Sequence, residues 1–251
     1  MKIDLSGKTA VITGASRGLG ESMAVALSAA GAQAALVARD AQRLQSVKSR
    51  IESSGGTAEC FTCDVTCEAD VAQLVSEVNR RFRSPQILIN NVGTNIRRPL
   101  IEFSLEEFRS VLDSSLISTF LMCRAFVPGM LGSGYGRILN MTSIMSHVSL
   151  PGRSAYSSAK TALLGLTRAL SQELAADGIT VNGVSPGPCG TEMNLAIMNN
   201  PEANAQFLAS LPVGRWGKVQ EIGALAVYLC SELAGFITGT DILIDGGWTA
   251  K

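Results

Sequence analysis

The chain of 251 residues is predicted to fold as an α/β domain, a doubly wound, seven-stranded parallel sheet. Three observations predict it. Short apolar, β-rich runs alternate with longer amphipathic runs along the whole length. A glycine-rich loop, "TGASRGLG" (13–20), sits between the first such strand and the first helix. No low-complexity linker or composition shift interrupts the rhythm, so residues 1–251 read as one domain.

The elements follow in order. "TAVIT" (9–13) is the first strand, and a helix runs from Gly20 to Ala30. "AALVA" (34–38) precedes "AQRLQSVKSRIESSG", and "AECFTCDV" (58–65) precedes "EADVAQLVSEVNRRF". "QILINN" (86–91) leads into a long helical run from Leu105 to Met130. Ser104 and Glu107 have the spacing of a capping box at its start. "GRILNMTS" (136–143) precedes a helix over 155–176, with Gly178 placed to end it. "ITVNGVSP" (179–186) is the sixth strand, a helix lies near 219–233, and "DILID" (241–245) is the seventh strand. Strands joined by helical crossovers make a parallel sheet covered on both faces. Residues 188–215 break the pattern as a long irregular insertion after a strand's carboxyl end, which reads as a substrate lid.

Composition narrows the function. Lys plus Arg and Asp plus Glu each number 21, so no basic field exists to attract nucleic acid or an anionic membrane. No uninterrupted apolar stretch approaches the ~18 residues of a membrane span. The N-terminal segment lacks the apolar core and cleavage site of a signal peptide. A cytoplasmic protein is expected, its six cysteines reduced. "CFTCDVTC" resembles a metal motif, but in a strand positions three apart point to opposite faces, and His147 is the only histidine. No metal site is expected.

The glycine loop carries Gly14, Gly18 and Gly20 in the spacing G-x-x-x-G-x-G. Such a loop turns tightly, brings backbone close to a pyrophosphate and aims a helix N-terminus at its charge. Further along come "NNVG" (90–93), a serine in "NMTS" (140–143), "YSSAK" (156–160), "SPGPCGTEM" (185–193) and "DGGW" (245–248). With these motifs in this order, essentially the whole chain resembles the short-chain dehydrogenases/reductases. The resemblance implies a single Rossmann-type domain, a nicotinamide cofactor and a Ser-Tyr-Lys catalytic core.

It also implies the residues around the cofactor: Gly14, Ser16, Arg17, Gly18, Leu19 and Gly20 in the loop, and Asp64 and Val65 beside the adenine. Asn90, Asn91 and Gly93 would lie beside the nicotinamide ribose, with Pro186, Gly187 and Thr191 near the carboxamide. Asp40 lies where an acid could hold the adenosine ribose and favour NAD. However, NAD-dependent members usually carry their acid at the strand end, which is Ala38 here, followed by Arg39. Arg17 and Arg39 together suit a 2′-phosphate, so NADP is expected in preference to NAD.

In such enzymes the cofactor carries the hydride while the protein holds the carbonyl and supplies a proton. Tyr156 is the expected proton donor, and its phenolate the base in the reverse direction. A free phenol has a pKa near ~10, and working near neutrality requires about 4 kcal/mol of preferential phenolate stabilisation. Lys160, one helical turn on, is the expected source of that field, and the resemblance gives it the nicotinamide ribose hydroxyls as well. Ser143 should hydrogen-bond the substrate oxygen. One position departs from the family: Ser115 stands where an asparagine usually links the lysine to solvent. Two readings stay open, a shorter relay through water and a serine bonded to its own helix backbone.

Arg97 and Arg98, in "GTNIRRPLIEFS" (93–104), could pair with a substrate carboxylate or phosphate. His147 is expected on the rim of the substrate pocket; no Gly-x-Ser-x-Gly elbow makes it part of a hydrolase triad. With "GRWG" (214–217) and "DGGW", the loop is similar to the gluconate 5-dehydrogenase and 2-deoxygluconate 3-dehydrogenase branch. That implies a sugar acid as substrate. A 3-oxoacyl-acyl-carrier-protein reductase is the alternative, and a cofactor-binding regulatory member without turnover is a third. The resemblance implies a homotetramer with 222 symmetry.

Overall fold

The computed structural model describes residues 3–250. Seven strands form one parallel sheet in the order β3-β2-β1-β4-β5-β6-β7. They are β1 (Thr9–Thr13), β2 (Gln33–Ala38), β3 (Ala58–Thr62), β4 (Ile87–Asn90), β5 (Gly136–Met141), β6 (Ile179–Pro186) and β7 (Asp241–Ile244). β1 pairs with both β2 and β4, so the winding reverses there and a crevice opens at the strand ends.

Alternation along the strands feeds two cores. Ala10, Ile12, Leu36, Ile87 and Ile89 face α1 (Gly18–Ala29), α2 (Ala41–Ser53) and α9 (Val219–Leu229). Val11, Val37, Leu88 and Ile138 face α3 (Glu68–Arg81), α5 (Ser118–Met130) and α6 (Ser154–Leu174). The period of two explains why the strands read as continuous apolar runs: both faces are buried.

Local signals behave as expected at two helix ends. Ser104 Oγ accepts from Glu107 N at 3.0 Å, and Ser104 N donates back to the Glu107 carboxylate at 3.0 Å, closing the capping box of α4 (Leu105–Leu112). Gly178 takes φ 73°, the left-handed stop after the 3-10 turn Ala175–Asp177 that follows α6.

Three expectations are corrected. The long helix over 105–130 is continuous, but Asp113–Ile117 forms a π turn between α4 and α5. Residues 188–215 are largely helical, with α7 (Leu195–Met198) and α8 (Pro201–Ala209), because Asn200 caps α8 and Pro201 occupies its first position. β3 stops at Thr62, so Cys63 is buried beyond the strand and Cys67 is exposed at the N-terminus of α3. Among the described residues no cluster could hold a metal ion.

The run Leu105–Met130 is long and apolar enough to cross a membrane by length and composition. Here it is a core helix. Val111, Leu121, Met122, Phe126 and Met130 are buried in the domain, and α5 packs on α3 and β4.

Candidate active site

The carboxyl ends of β1, β4, β5 and β6 meet at one rim, as a parallel sheet with a reversal of winding requires. The glycine loop lies on this rim. Gly14 and Gly18 have φ of 64° and 61°, which side chains disfavour. Gly20 is forced by space: a Cβ there would stand 2.2 Å from the Gly14 carbonyl oxygen. The loop therefore folds onto the start of α1, where no side chain caps the first N–H groups. Free N–H groups and the helix dipole form a cradle for an anion, and a dinucleotide's pyrophosphate fits it. Ser16 lies half-buried in the loop, and Leu19 anchors it by packing on the core.

Asn91 holds this cradle in shape. Its amide donates to the Thr13 carbonyl at 3.1 Å and the Gly14 carbonyl at 3.3 Å. Asn90 is turned away instead, buried against Asn140 at 2.9 Å and the Cys123 sulfur at 3.3 Å, so it offers no side-chain contact to a ribose. Val65 is buried, and Asp64 accepts from Thr66 N at 3.0 Å and Thr66 Oγ1 at 2.7 Å. Those bonds hold the Asp64 carboxyl below its usual range.

The arginines expected to grip a 2′-phosphate are present but already engaged by acids. Arg17 pairs with Glu192 at 2.9 Å, and Arg39 lies 3.8 Å from Asp64. Arg43, not foreseen from the sequence, reaches the same Glu192 at 3.2 Å. Asp40 caps α2 by accepting from Arg43 N at 3.0 Å. Across the rim, Pro186 ends β6, and Gly187 lets the chain near Asp245 pass: a Cβ would stand 2.5 Å from its Cα. The Thr191 methyl group lies 3.9 Å from the point where a Gly18 Cβ would stand, which returns this segment over the glycine loop.

Ser143 follows β5 and caps the 3-10 turn Ile144–Ser146, its Oγ accepting from Met145 N at 3.1 Å. Tyr156 projects from the first turn of α6 and packs with Val111, Ala155 and Ala159. Burial pushes its phenol up, while the Ser143 side-chain hydrogen bond and then the Arg153 guanidinium pull it back. Lys160 was expected to supply that pull. Its ammonium stands 5.8 Å from the Tyr156 ring centre and donates to the Met141 carbonyl at 2.5 Å. It shares the tyrosine's helical face but is held by β5. Burial pushes Lys160 itself down to about 8.

Ser115 lies in the π turn, fully buried, its hydroxyl without a partner among the described residues. Its neighbours Ser114, Ser118 and Thr119 all bond helix carbonyls; Ser115 does not, so the reading of a backbone-bonded serine is not realised. A Cβ on Gly93 would stand 3.1 Å from Ser115 Oγ and 3.2 Å from Lys160 Nζ. Serine, glycine and lysine thus converge on one point.

The residues expected to meet the substrate separate. Arg97 is exposed, with no ion pair among the described residues, whereas Arg98 is paired with Glu107 at 3.1 Å. His147 Nε2 lies 2.6 Å from Asp241, which also accepts from Thr142 at 2.5 Å and Ser185 at 2.6 Å. Neither Ser143 nor Ser146 bonds His147, so no hydrolase triad forms among the described residues. Sequence reading missed Arg43, Arg153, Glu192 and Asp241. Arg153 had a usable signal, standing three residues before Tyr156 on the same helix face.

The arrangement can be set beside known proteins. The sequence profile described as enoyl-(acyl carrier protein) reductase matches residues 14–249. Gluconate 5-dehydrogenase of Gluconobacter oxydans (strain 621H) is 34% identical over 247 residues, 98% of this chain and 96% of that protein. A 2-dehydro-3-deoxy-D-gluconate 5-dehydrogenase of Bacillus subtilis (strain 168) is 32% identical over 98% of this chain and 96% of its own. The solved gluconate 5-dehydrogenase from Burkholderia cenocepacia J2315, in complex with NADP and tartrate, superposes with a TM-score of 0.94 at 30% identity, covering 100% of this chain and 98% of that one. Fold, rim and relatives agree: the chain belongs to the short-chain dehydrogenase/reductase family and is an NAD(P)-dependent oxidoreductase.

Proposed function

We propose that the chain interconverts a secondary alcohol and a ketone with NADP, on a sugar acid of the gluconate or ketogluconate type. The observation that supports the chemistry is the grouping of Tyr156 with Ser143 and, 5.8 Å from its ring centre, the Lys160 ammonium. The cofactor would supply or accept the hydride. The chain's own residues do the rest. Gly14, Gly18, Gly20 and the first turn of α1 hold the pyrophosphate, and Arg17, Arg39 and Arg43 surround the 2′-phosphate. Ser143 orients the reacting oxygen, and Tyr156 gives or takes its proton. Lys160 holds the nicotinamide ribose, and Ser115 lies on the proton's way out past Gly93. Residues 188–215 form a lid.

The sugar-acid reading is supported by the relatives and by the free Arg97 beside the site. NADP is supported by the cofactor in the Burkholderia structure. The proposal includes a homotetramer, consistent with exposed Tyr228, Leu233 and Phe236 in and after α9. Six free thiols suit a reducing cytoplasm.

A second reading, 3-oxoacyl-acyl-carrier-protein reductase, is supported by the enzyme of that name from Pseudomonas aeruginosa, 31% identical over 98% of this chain. A regulatory member without turnover rests on Ser115 alone and is opposed by the intact Ser143, Tyr156 and Lys160. Gluconate, 5-ketogluconate, deoxyketogluconates and acetoacetyl thioesters, each with NADP(H) and NAD(H), separate the three. Turnover of the sugar acids with NADP(H) is expected. Turnover of thioesters alone would select the second reading, and cofactor binding without any turnover the third.

A further inference from the structure

Arg153 and Arg97 lie near enough to interact, beside Tyr156. Arg153 is the N-cap residue of α6, three positions before the tyrosine, and is partly buried. Its guanidinium is close enough to both Tyr156 and Arg97 to act on each electrostatically: burial and then Arg97 disfavour its charge, and the Tyr156 phenolate favours it. A backbone bond fixes the arrangement. Arg98 N donates to the Gly152 carbonyl at 3.1 Å, fastening the loop after β4 to the residue before Arg153.

No acid neutralises the pair. Among the described residues neither Arg97 nor Arg153 has a salt bridge or a side-chain hydrogen bond, while the adjacent Arg98 has Glu107 at 3.1 Å. The arginines at the glycine loop are likewise matched to acids. Two guanidinium groups that repel each other beside a proton-transfer group are unfavourable unless an anion joins them. A planar carboxylate is well suited, since each guanidinium can bind it through paired hydrogen bonds.

We propose that Arg153 and Arg97 form the carboxylate subsite of this active site, and that Arg153 selects an anionic substrate over a neutral polyol. The inference rests on the sugar-acid reading above but names residues and a mechanism of choice. One relative, the D-threitol dehydrogenase of Mycolicibacterium smegmatis, is named for a neutral polyol and is 35% identical over 98% of this chain. The fold itself therefore does not dictate an acid, and the choice must lie in particular side chains.

The test is binding first and turnover second. Gluconate and its neutral analogue gluconamide are titrated calorimetrically into wild type, Arg153→Gln, Arg153→Lys and the exposed Arg83→Gln, with NADPH and separately with NADH present so that no oxidation accompanies binding. Wild type is expected to prefer gluconate. Arg153→Gln should lose about 10- to 100-fold in gluconate affinity, the worth of one to two charged hydrogen bonds. It should leave gluconamide unchanged, with Arg153→Lys intermediate and Arg83→Gln like wild type. Thermal melts confirm that each variant is folded. Equal loss for both ligands, unchanged gluconate affinity in Arg153→Gln, or no preference in wild type would overturn the subsite. Turnover is read separately: wild type that binds gluconate through Arg153 yet oxidises it with neither NADP nor NAD keeps the subsite and overturns the sugar-acid dehydrogenase reading.

Discussion

The Glu192 carboxylate bridges Arg17 and Arg43, at 2.9 Å and 3.2 Å. One acid, from the segment after β6, thus holds the glycine loop and α2 at once. It occupies the guanidinium groups that a 2′-phosphate would need. Their hydrogen bonds hold the Glu192 carboxyl below its usual range, Arg43 contributing before Arg17. Removing the acid's charge should free the arginines for the cofactor. Glu192→Gln is expected to raise kcat/KM for NADPH relative to NADH by about 3- to 10-fold, the scale of one exposed charged contact. Steady-state kinetics with both cofactors measures it, and an equal change for both would separate Glu192 from the choice.

Lys160 gives a stability prediction with a definite sign. Its pKa falls from 10.5 to about 8 in the fold because burial disfavours the charge. Between those values the unfolded chain binds more protons than the folded one, so stability rises with pH across that window. Below about 8 the cost of the buried charge is present in full, about 3 kcal/mol by linkage. Lys160→Met should therefore unfold at a higher temperature than wild type at pH 7, with the gain shrinking towards pH 10. Loss of the bond to the Met141 carbonyl sets the linkage figure as an upper bound. Thermal melts at several pH values decide it; a pH-independent difference would contradict the assignment.

Tyr156 sets the direction of the activity profile. Alcohol oxidation needs the phenolate, and burial raises the phenol, so kcat/KM for oxidation should climb through the alkaline range. Reduction should decline over the same range, since it needs the protonated phenol. Arg153 favours the phenolate, so Arg153→Gln should move both limbs to higher pH. A profile whose midpoint does not move would show that Arg153 does not act on the tyrosine.

Ser115 can be tested in both directions. If its hydroxyl carries a weak proton relay, Ser115→Asn should turn over faster than wild type, and unchanged or lower turnover would count against that role. Ser115→Ala should lose turnover by about 10-fold with no loss of thermal stability, because it removes a buried hydroxyl that has no partner. Gly93→Ala should mimic that loss, since its Cβ would crowd both Ser115 Oγ and Lys160 Nζ.

The strands were legible because both faces of the sheet are buried, leaving short apolar runs between helical ones. The glycine loop and the Tyr156–Lys160 spacing were legible because each depends on local backbone geometry. What escaped depends on long-range meetings. Glu192 reaches Arg17 across 175 positions of chain, and Asp241 reaches His147 across 94. Lys160 shows the limit even of local reasoning: spacing placed it on the tyrosine's face, but the Met141 carbonyl decides where the ammonium ends. Asn90 and Asn91 are adjacent and chemically identical, yet Asn90 ends β4 with its side chain in the core while Asn91, just past the strand, turns to the glycine loop.

The π turn at Asp113–Ile117 makes the helix intolerant of length changes. A wide turn holds one residue more than an α-turn and is frequent at functional sites. Deleting a single residue from it would restore α-helical register and rotate α4 against α5 by about 100°. Ser115 would leave its place beside Gly93, and the capping box at Ser104 would swing off the loop that carries Arg97. Homologous enzymes should therefore exchange side chains at 115 far more readily than they gain or lose a residue between 112 and 118.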